Sequence, residues 1–175
     1  LLLFPTKALA HDQLRRLRAM AQVLGVEGVF PYDGDTPSAT RRQARERGLV
    51  LLSNPDMLHY GLLPRHPDWA PFLARLRYVV LDELHAYRGV FGTHVALILR
   101  RLLRLARHYG ASPQVLAASA TIANAREHAE ALTGLPFEEL KAQVARTERE
   151  LLVLLPKPLD RRGERRRSPL LEAAY

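Results

Sequence analysis

The sequence predicts an α/β domain built on a parallel sheet. Two observations carry this. Four short apolar runs are continuous rather than alternating, the pattern of strands covered on both faces, and segments with apolar residues at three- and four-residue steps lie between them. Strands alternating with helices specify parallel pairing, and such sheets bind ligands at the carboxyl ends of their strands. A chain of 175 residues with 47% hydrophobic content can bury one sizeable core.

Leu1–Phe4 is the first apolar run, and Leu1 begins inside what reads as a core strand. No earlier residue is present to cover it, so the reading is of an exposed first strand that lacks a neighbour, an arrangement that invites aggregation. At its end, Pro5-Thr6-Lys7-Ala8-Leu9-Ala10 offers a hydroxyl, an ammonium and helix-start amides that could grip a phosphate, although capping alone also explains Thr6. Leu14, Leu17, Ala21 and Leu24 then mark a helix. The turn-rich Tyr32-Asp33-Gly34-Asp35-Thr36-Pro37 closes the second strand, and Ser38 is placed to cap a polar helix that runs through Arg47 and stops at Gly48.

Leu49–Leu52 follows, with the turn-rich Ser53-Asn54-Pro55-Asp56-Met57-Leu58 on the same sheet edge. Tyr78–Leu81 runs directly into Asp82-Glu83-Leu84-His85. Val95, Ile98, Leu99, Leu102, Leu103 and Leu105 belong to a longer helix ending near Gly110. Val115–Ala118 is the last run; it leads into Ser119-Ala120-Thr121, and Asn124 can start a helix that stops near Gly134.

The net charge is +8 and the basic residues are mostly arginine, which suits polyanion partners because guanidinium matches phosphate geometry; arginine-rich codon usage would give the same excess. Six basic residues against two acidic ones lie between Lys157 and Arg167, so that segment supplies four of the eight charges. Its Pro- and Arg-rich composition reads as a linker over 156–169, with 170–175 as the opening of a further element. A solvated connector is the simpler account of those arginines than a direct DNA contact. No apolar stretch reaches the length of a membrane span, no signal-peptide pattern opens the chain, and the absence of cysteine fits a reducing cytoplasm.

A hydrophobic strand ending in Asp-Glu is how nucleotide hydrolases hold magnesium through the Asp and orient or deprotonate a water through the Glu. The tetrapeptide alone could equally be an exposed acidic strand end. Taken in order and spacing, however, the segments resemble the motifs of superfamily 2 DEAD/DEAH-box helicases: Pro5–Gln13 resembles motif Ia, Ser53–Leu58 motif Ib, Asp82–His85 motif II and Ser119–Thr121 motif III. Tyr32–Pro37, the stretch from Asp82 to His94, and Ser119–Asn124 are similar to the RecQ-related Hrq-like and mitomycin-repair-factor DNA helicases. The resemblance implies a RecA-like fold, with a partial first motor domain over 1–155 and the start of a second RecA-like domain at 170–175.

It also implies roles. Asp82 would hold Mg2+ through its water shell, Glu83 would be the catalytic base, and His85 would couple nucleotide state to Ser119, Ala120 and Thr121. Thr6, Lys7, Asp35, Ser53 and Asn54 would lie along one nucleic-acid strand and contact its backbone. Leu84 departs from the usual small residue at that place. Arg88, Gly92 and His94 match the subgroup and serve either a ligand or, the favoured reading, the packing of the following helix. The parent would be an ATP-dependent DNA helicase of 3′-to-5′ polarity, acting on a single strand or duplex junction, with RNA as the alternative polymer.

The Gly-Lys-Ser/Thr loop that holds nucleotide phosphates is missing: none of the ten glycines precedes a lysine. In the family that loop precedes motif Ia, so the resemblance implies a chain cut before it and inactive by itself. Two other classes remain as readings of the residues: a nucleic-acid-binding module that has lost nucleotide binding, and a metal-dependent hydrolase using Asp82, Glu83, His85 and His59 or His94.

Overall fold

The computed structural model describes residues 1–120 and 123–140, and the compact unit considered below is Leu1–Glu139. The expected linker at 156–169, the element at 170–175 and Thr121 lie outside the described residues.

Five parallel strands form one sheet in the order β2-β3-β1-β4-β5, with β1 at Leu2–Leu3, β2 at Val29–Tyr32, β3 at Val50–Ser53, β4 at Tyr78–Leu81 and β5 at Gln114–Ala117. The first strand is therefore not an uncovered edge. Leu2 and Leu3 pair with Leu52 and Ser53 on one side and with Val80 and Leu81 on the other, which makes β1 the centre of the sheet. The edges are β2 and β5.

Successive strand side chains point to opposite faces, and they divide the core in two. Leu3, Leu51, Val79 and Leu81 join the larger cluster; Phe4 and Leu52 join Ala10 and Leu14 in the smaller. Helix α1, Lys7–Val23, covers the smaller cluster, its buried Ala10 and Leu14 one turn apart. On the larger side lie α2, Ser38–Arg47; α3, Pro55–Met57; α4, Ala70–Ala74; α5, Gly89–His108; and α6, Ala125–Thr133.

The two faces are unequally covered. Among the described residues only α1 lies on its face, and Tyr78 and Leu116 remain 47% and 44% exposed. Among the described residues nothing covers the second face of β5, where its pattern suggests cover. A further surprise is the connection from β3 to β4: after α3 it runs as a π-helical turn, Leu58–Leu62, and 3-10 turns through Leu63–Trp69. Leu58, Leu62, Leu63 and Trp69 are all buried there, and the Trp69 ring meets Tyr32 edge-on at 4.7 Å.

Helix ends follow the sequence with one exception. Thr6 caps α1, its hydroxyl accepting from the Leu9 amide at 3.4 Å. Ser38 does not cap α2; it is the first helical residue, and Pro37 occupies the cap position without a side-chain bond. Gly48 closes that helix, and Gly134 closes α6 in the left-handed conformation at φ 73° that suits glycine.

Candidate functional site

All five strands deliver their carboxyl ends to one edge, where the chain leaves β1, β2, β3, β4 and β5 at Phe4, Asp33, Asn54, Asp82 and Ala118. Two clusters form there.

The first surrounds the loop after β2. Asp33, 4% exposed, is its hub: its carboxylate accepts from His11 Nε2 at 2.6 Å, from Thr36 Oγ1 at 2.9 Å and from the Asp35 amide at 2.9 Å. Arg41 reaches back from α2 to the carbonyls of Thr36, Asp33 and Gly34 at 2.8–3.0 Å. Burial by itself pushes the Asp33 carboxyl up, but the hydrogen bonds from His11, Thr36 and the Asp35 amide outweigh it and hold the group below its ordinary 3.8. The tip of this fixed loop presents Asp35 to Lys7 at the start of α1; the two form an exposed ion pair, whose hydrogen bond raises the Lys7 pKa.

Next to it, the Ser53 hydroxyl is 1% exposed and donates to the Tyr32 carbonyl at 2.6 Å, so it ties β3 to β2 instead of facing outward. Asn54 caps α3, accepting from the Met57 amide at 2.8 Å. Lys7 and Asp35 thus pair on the surface next to the exposed Thr6, and Asn54 follows β3 on the same edge, while Ser53 is turned inside. Asp33, His11 and Arg41 were not singled out from the sequence; the spacing Asp-x-x-Thr within a turn was the available signal.

The second cluster follows β4. The Asp82 amide donates to the Leu3 carbonyl at 2.9 Å, and Asp82 Oδ1 accepts from the Glu83 amide at 3.0 Å. Glu83 sits at φ 51°, ψ 47°, the one non-glycine residue with positive φ among those described, a conformation that costs on the order of 1–3 kcal/mol. Leu84 is held by its amide on the Ala118 carbonyl at 2.9 Å and buries its side chain to 2% exposure, which accounts for a large residue at this place. The turn therefore lifts the Glu83 and His85 side chains out of the sheet, both more than a third exposed.

His85 Nδ1 lies 3.2 Å from Glu83 Oε2 and 3.4 Å from Ser119 Oγ. One ring nitrogen can donate to the carboxylate or accept from the hydroxyl, not both at once, so this is a two-way junction between the ends of β4 and β5. Ala120 follows Ser119 on the β5 side.

Beneath the turn, Tyr87 is fully buried and donates to the Leu3 carbonyl at 3.3 Å; burial pushes its phenol pKa up, with Asp82 and Glu83 adding to the shift. Gly92 is required here for space, because a Cβ would sit 2.4 Å from the Tyr87 carbonyl oxygen. The packing reading holds for Gly92, whereas Arg88 and His94 are exposed.

Among the described residues no group of three or more His, Asp or Glu is arranged to hold a metal ion, which leaves the metal-hydrolase alternative without a ligand set there. His59 faces Arg101 of α5 at 3.4 Å instead. Magnesium makes a smaller demand: it keeps most of its waters and is held by one or two carboxylates together with substrate phosphates. Asp82, with one oxygen on the Glu83 amide and the other without a partner among the described residues, fits that demand. The residues present do not include a cradle for the phosphates themselves. No described helix is long and apolar enough to cross a membrane.

Comparison with known proteins identifies the family. Residues 1–129 match the DEAD/DEAH box helicase family. The chain is 46% identical over 160 residues to the ATP-dependent helicase YprA of Bacillus subtilis, covering 91% of this chain and 21% of that protein. It is 41% identical over 138 residues to the ATP-dependent helicase HRQ1 of Saccharomyces cerevisiae, covering 76% and 13%. Among solved structures, DUF1998 helicase MrfA bound to DNA and AMPPNP superposes with a TM-score of 0.82 at 44% identity, over 98% of this chain and 24% of that one. The chain spans about a fifth or less of the curated relatives named here. The RecA-like architecture, the strand-end Asp-Glu-Leu-His turn and these matches together place the chain in the DEAD/DEAH box helicase family, within its Hrq1, YprA and MrfA group.

Proposed function

We propose that this domain is the first motor domain of an ATP-dependent DNA helicase, in which ATP hydrolysis drives translocation along a strand. The observation that carries the reading is the meeting of Glu83, His85 and Ser119 within 3.2–3.4 Å on the sheet edge that also presents Lys7, Asp35 and Asn54.

Asp82 would hold Mg2+, and the ion when bound would neutralise phosphate charge. Glu83, raised on its strained turn, takes the proton of the attacking water. His85 shifts between Glu83 and Ser119 as that carboxylate gains or loses a proton, and Ser119, Ala120 and Thr121 pass the change toward the nucleic acid. Thr6, Lys7, Asp35 and Asn54 follow the strand backbone, with Ser53 fixing the loop from within; such contacts give affinity without sequence readout. DNA is the favoured polymer because the MrfA structures contain it. The phosphate loop and a second RecA-like domain complete the motor.

The test is Glu83→Gln in the full-length gene product: DNA-stimulated ATP turnover falls by about 10²–10⁴-fold while nucleotide and DNA binding persist. Unchanged turnover refutes the assignment. Residues 1–175 alone show no DNA-stimulated turnover, and turnover abolished by the same substitution in that fragment would refute the need for the missing loop.

A further inference from the structure

We propose that the exposed face of α5 is a second contact for a nucleic-acid backbone, formed by Arg100, Arg104 and Arg107 and separate from the sheet-edge residues. The inference rests on the reading that this domain works on nucleic acid.

Helix α5 contains four arginines and two histidines and no acidic residue in its 20 positions. Its buried stripe, Val95, Ile98, Leu99, Leu102, Leu103 and Ala106, fixes its rotation. Arg100, Arg104 and Arg107 consequently lie exposed on the opposite side, at successive steps of four and three residues, which makes them surface neighbours. Arg101 turns to the flank, beside His59.

None of the three has an acidic partner among the described residues, unlike the arginines that are ion-paired elsewhere on the surface. Arg15 and Arg16 pair with Asp12, Arg42 with Glu46, Arg45 with Asp68 and Arg126 with Glu130. Like charges at such spacing disfavour a helix. The helix dipole favours Arg107 in the last turn but falls off before Arg104 and Arg100. Among the described residues no acidic side chain offsets the repulsion, whereas a polyanion would. The spacing suits one: the three cations span about 10 Å of helix axis, and a DNA strand presents a phosphate about every 3.4 Å along its axis.

The basic face also continues toward the sheet edge. A groove of about 570 Å³ between α5 and α6 carries Arg88, Thr93, Arg100, Asn124 and His128 along its walls. Arg88 directly follows Tyr87, which packs beneath the Asp82–Glu83 turn. A strand leaving that edge at Arg88 would reach Arg100 by way of this groove and then meet Arg104 and Arg107 along α5.

The experiment measures binding of the 175-residue chain to a labelled oligodeoxynucleotide across a salt series, by fluorescence anisotropy. Replacing Arg100, Arg104 and Arg107 together by Gln lowers the slope of log K against log salt by about two to three, and replacing all three by Lys restores it, because a point charge suffices for phosphate. Circular dichroism checks that the Gln variant remains folded. An Arg15→Gln/Arg16→Gln control, whose cations are already paired, lowers the slope by less than the α5 variant does. If the wild-type chain binds but the α5 variant keeps its slope, the second contact is refuted and the face belongs to another kind of partner. If the wild-type chain does not bind DNA at all, the functional reading itself fails along with this inference.

Discussion

Two loops at the same sheet edge are built on opposite plans. The loop after β2 is tied by polar contacts from every side: the Asp33 carboxylate has three donors and Arg41 engages three carbonyls. The turn after β4 is held from below by apolar packing of Leu84 and Tyr87, and above that floor its polar groups make few bonds, with Glu83 in a strained conformation. A saturated loop keeps one geometry, which suits the proposed track for a uniform backbone. A strained turn with a histidine facing two partners can exchange one for the other, which suits the proposed coupling to nucleotide state.

Substitutions at each loop can break or sharpen this contrast. The largest effect belongs to the strained turn: Glu83→Gln removes the proposed base, with the loss of turnover given above, yet leaves the melting temperature close to wild type because the side chain is half-exposed and carries little packing. The floor comes next. Gly92→Ala forces a methyl against the Tyr87 carbonyl and is expected to destabilise by about 1–3 kcal/mol in urea unfolding.

Asp33→Ala leaves the Thr36 hydroxyl and the Asp35 amide without their acceptor and is expected to cost about 1–3 kcal/mol by the same measurement, with a loosened loop visible in hydrogen exchange of residues 33–36. Acid provides a second probe of this loop. Because the folded Asp33 pKa lies below its ordinary 3.8, its contribution is complete above that value and is lost as pH falls through the lowered one. Wild type should therefore lose stability relative to Asp33→Asn as pH drops below about 4, and parallel curves would show that the hub contributes nothing. The smallest effect is at the surface: Lys7→Ala should lower the salt slope of DNA binding by about one, with no change in stability.

Much of this architecture was legible in the sequence. Continuous apolar runs marked the strands, and Leu14 or Leu102 at helical spacing marked the buried stripes, because both periodicities are local. The strand-end positions of Asp82–His85 and Ser119 marked the carboxyl-end edge of the sheet, on which both lie in the fold. Sheet order was not legible: nothing local in Leu1–Phe4 says that residues arriving fifty and eighty positions later will flank it. Nor could a hydroxyl's direction be read from its identity, so Ser53, which looks like a surface contact, turns inward to Tyr32, and Thr6 spends its oxygen on a helix cap. The buried role of Asp33 was hidden for a related reason, since a turn rich in Asp and Gly reads as solvent-exposed until its partners on α1 and α2 are known. The irregular Leu58–Trp69 segment has no period to detect, although its buried side chains are ordinary core residues.

The central place of β1 has a consequence in time. Its neighbours β3 and β4 are made well after it, so during synthesis the strand must wait, with its backbone groups hydrated, until residues 50–53 and then 78–81 have emerged. Closing those long separations comes before the sheet can reward them, which makes assembly around β1 a slow step and the nascent chain most vulnerable to misassociation in that interval.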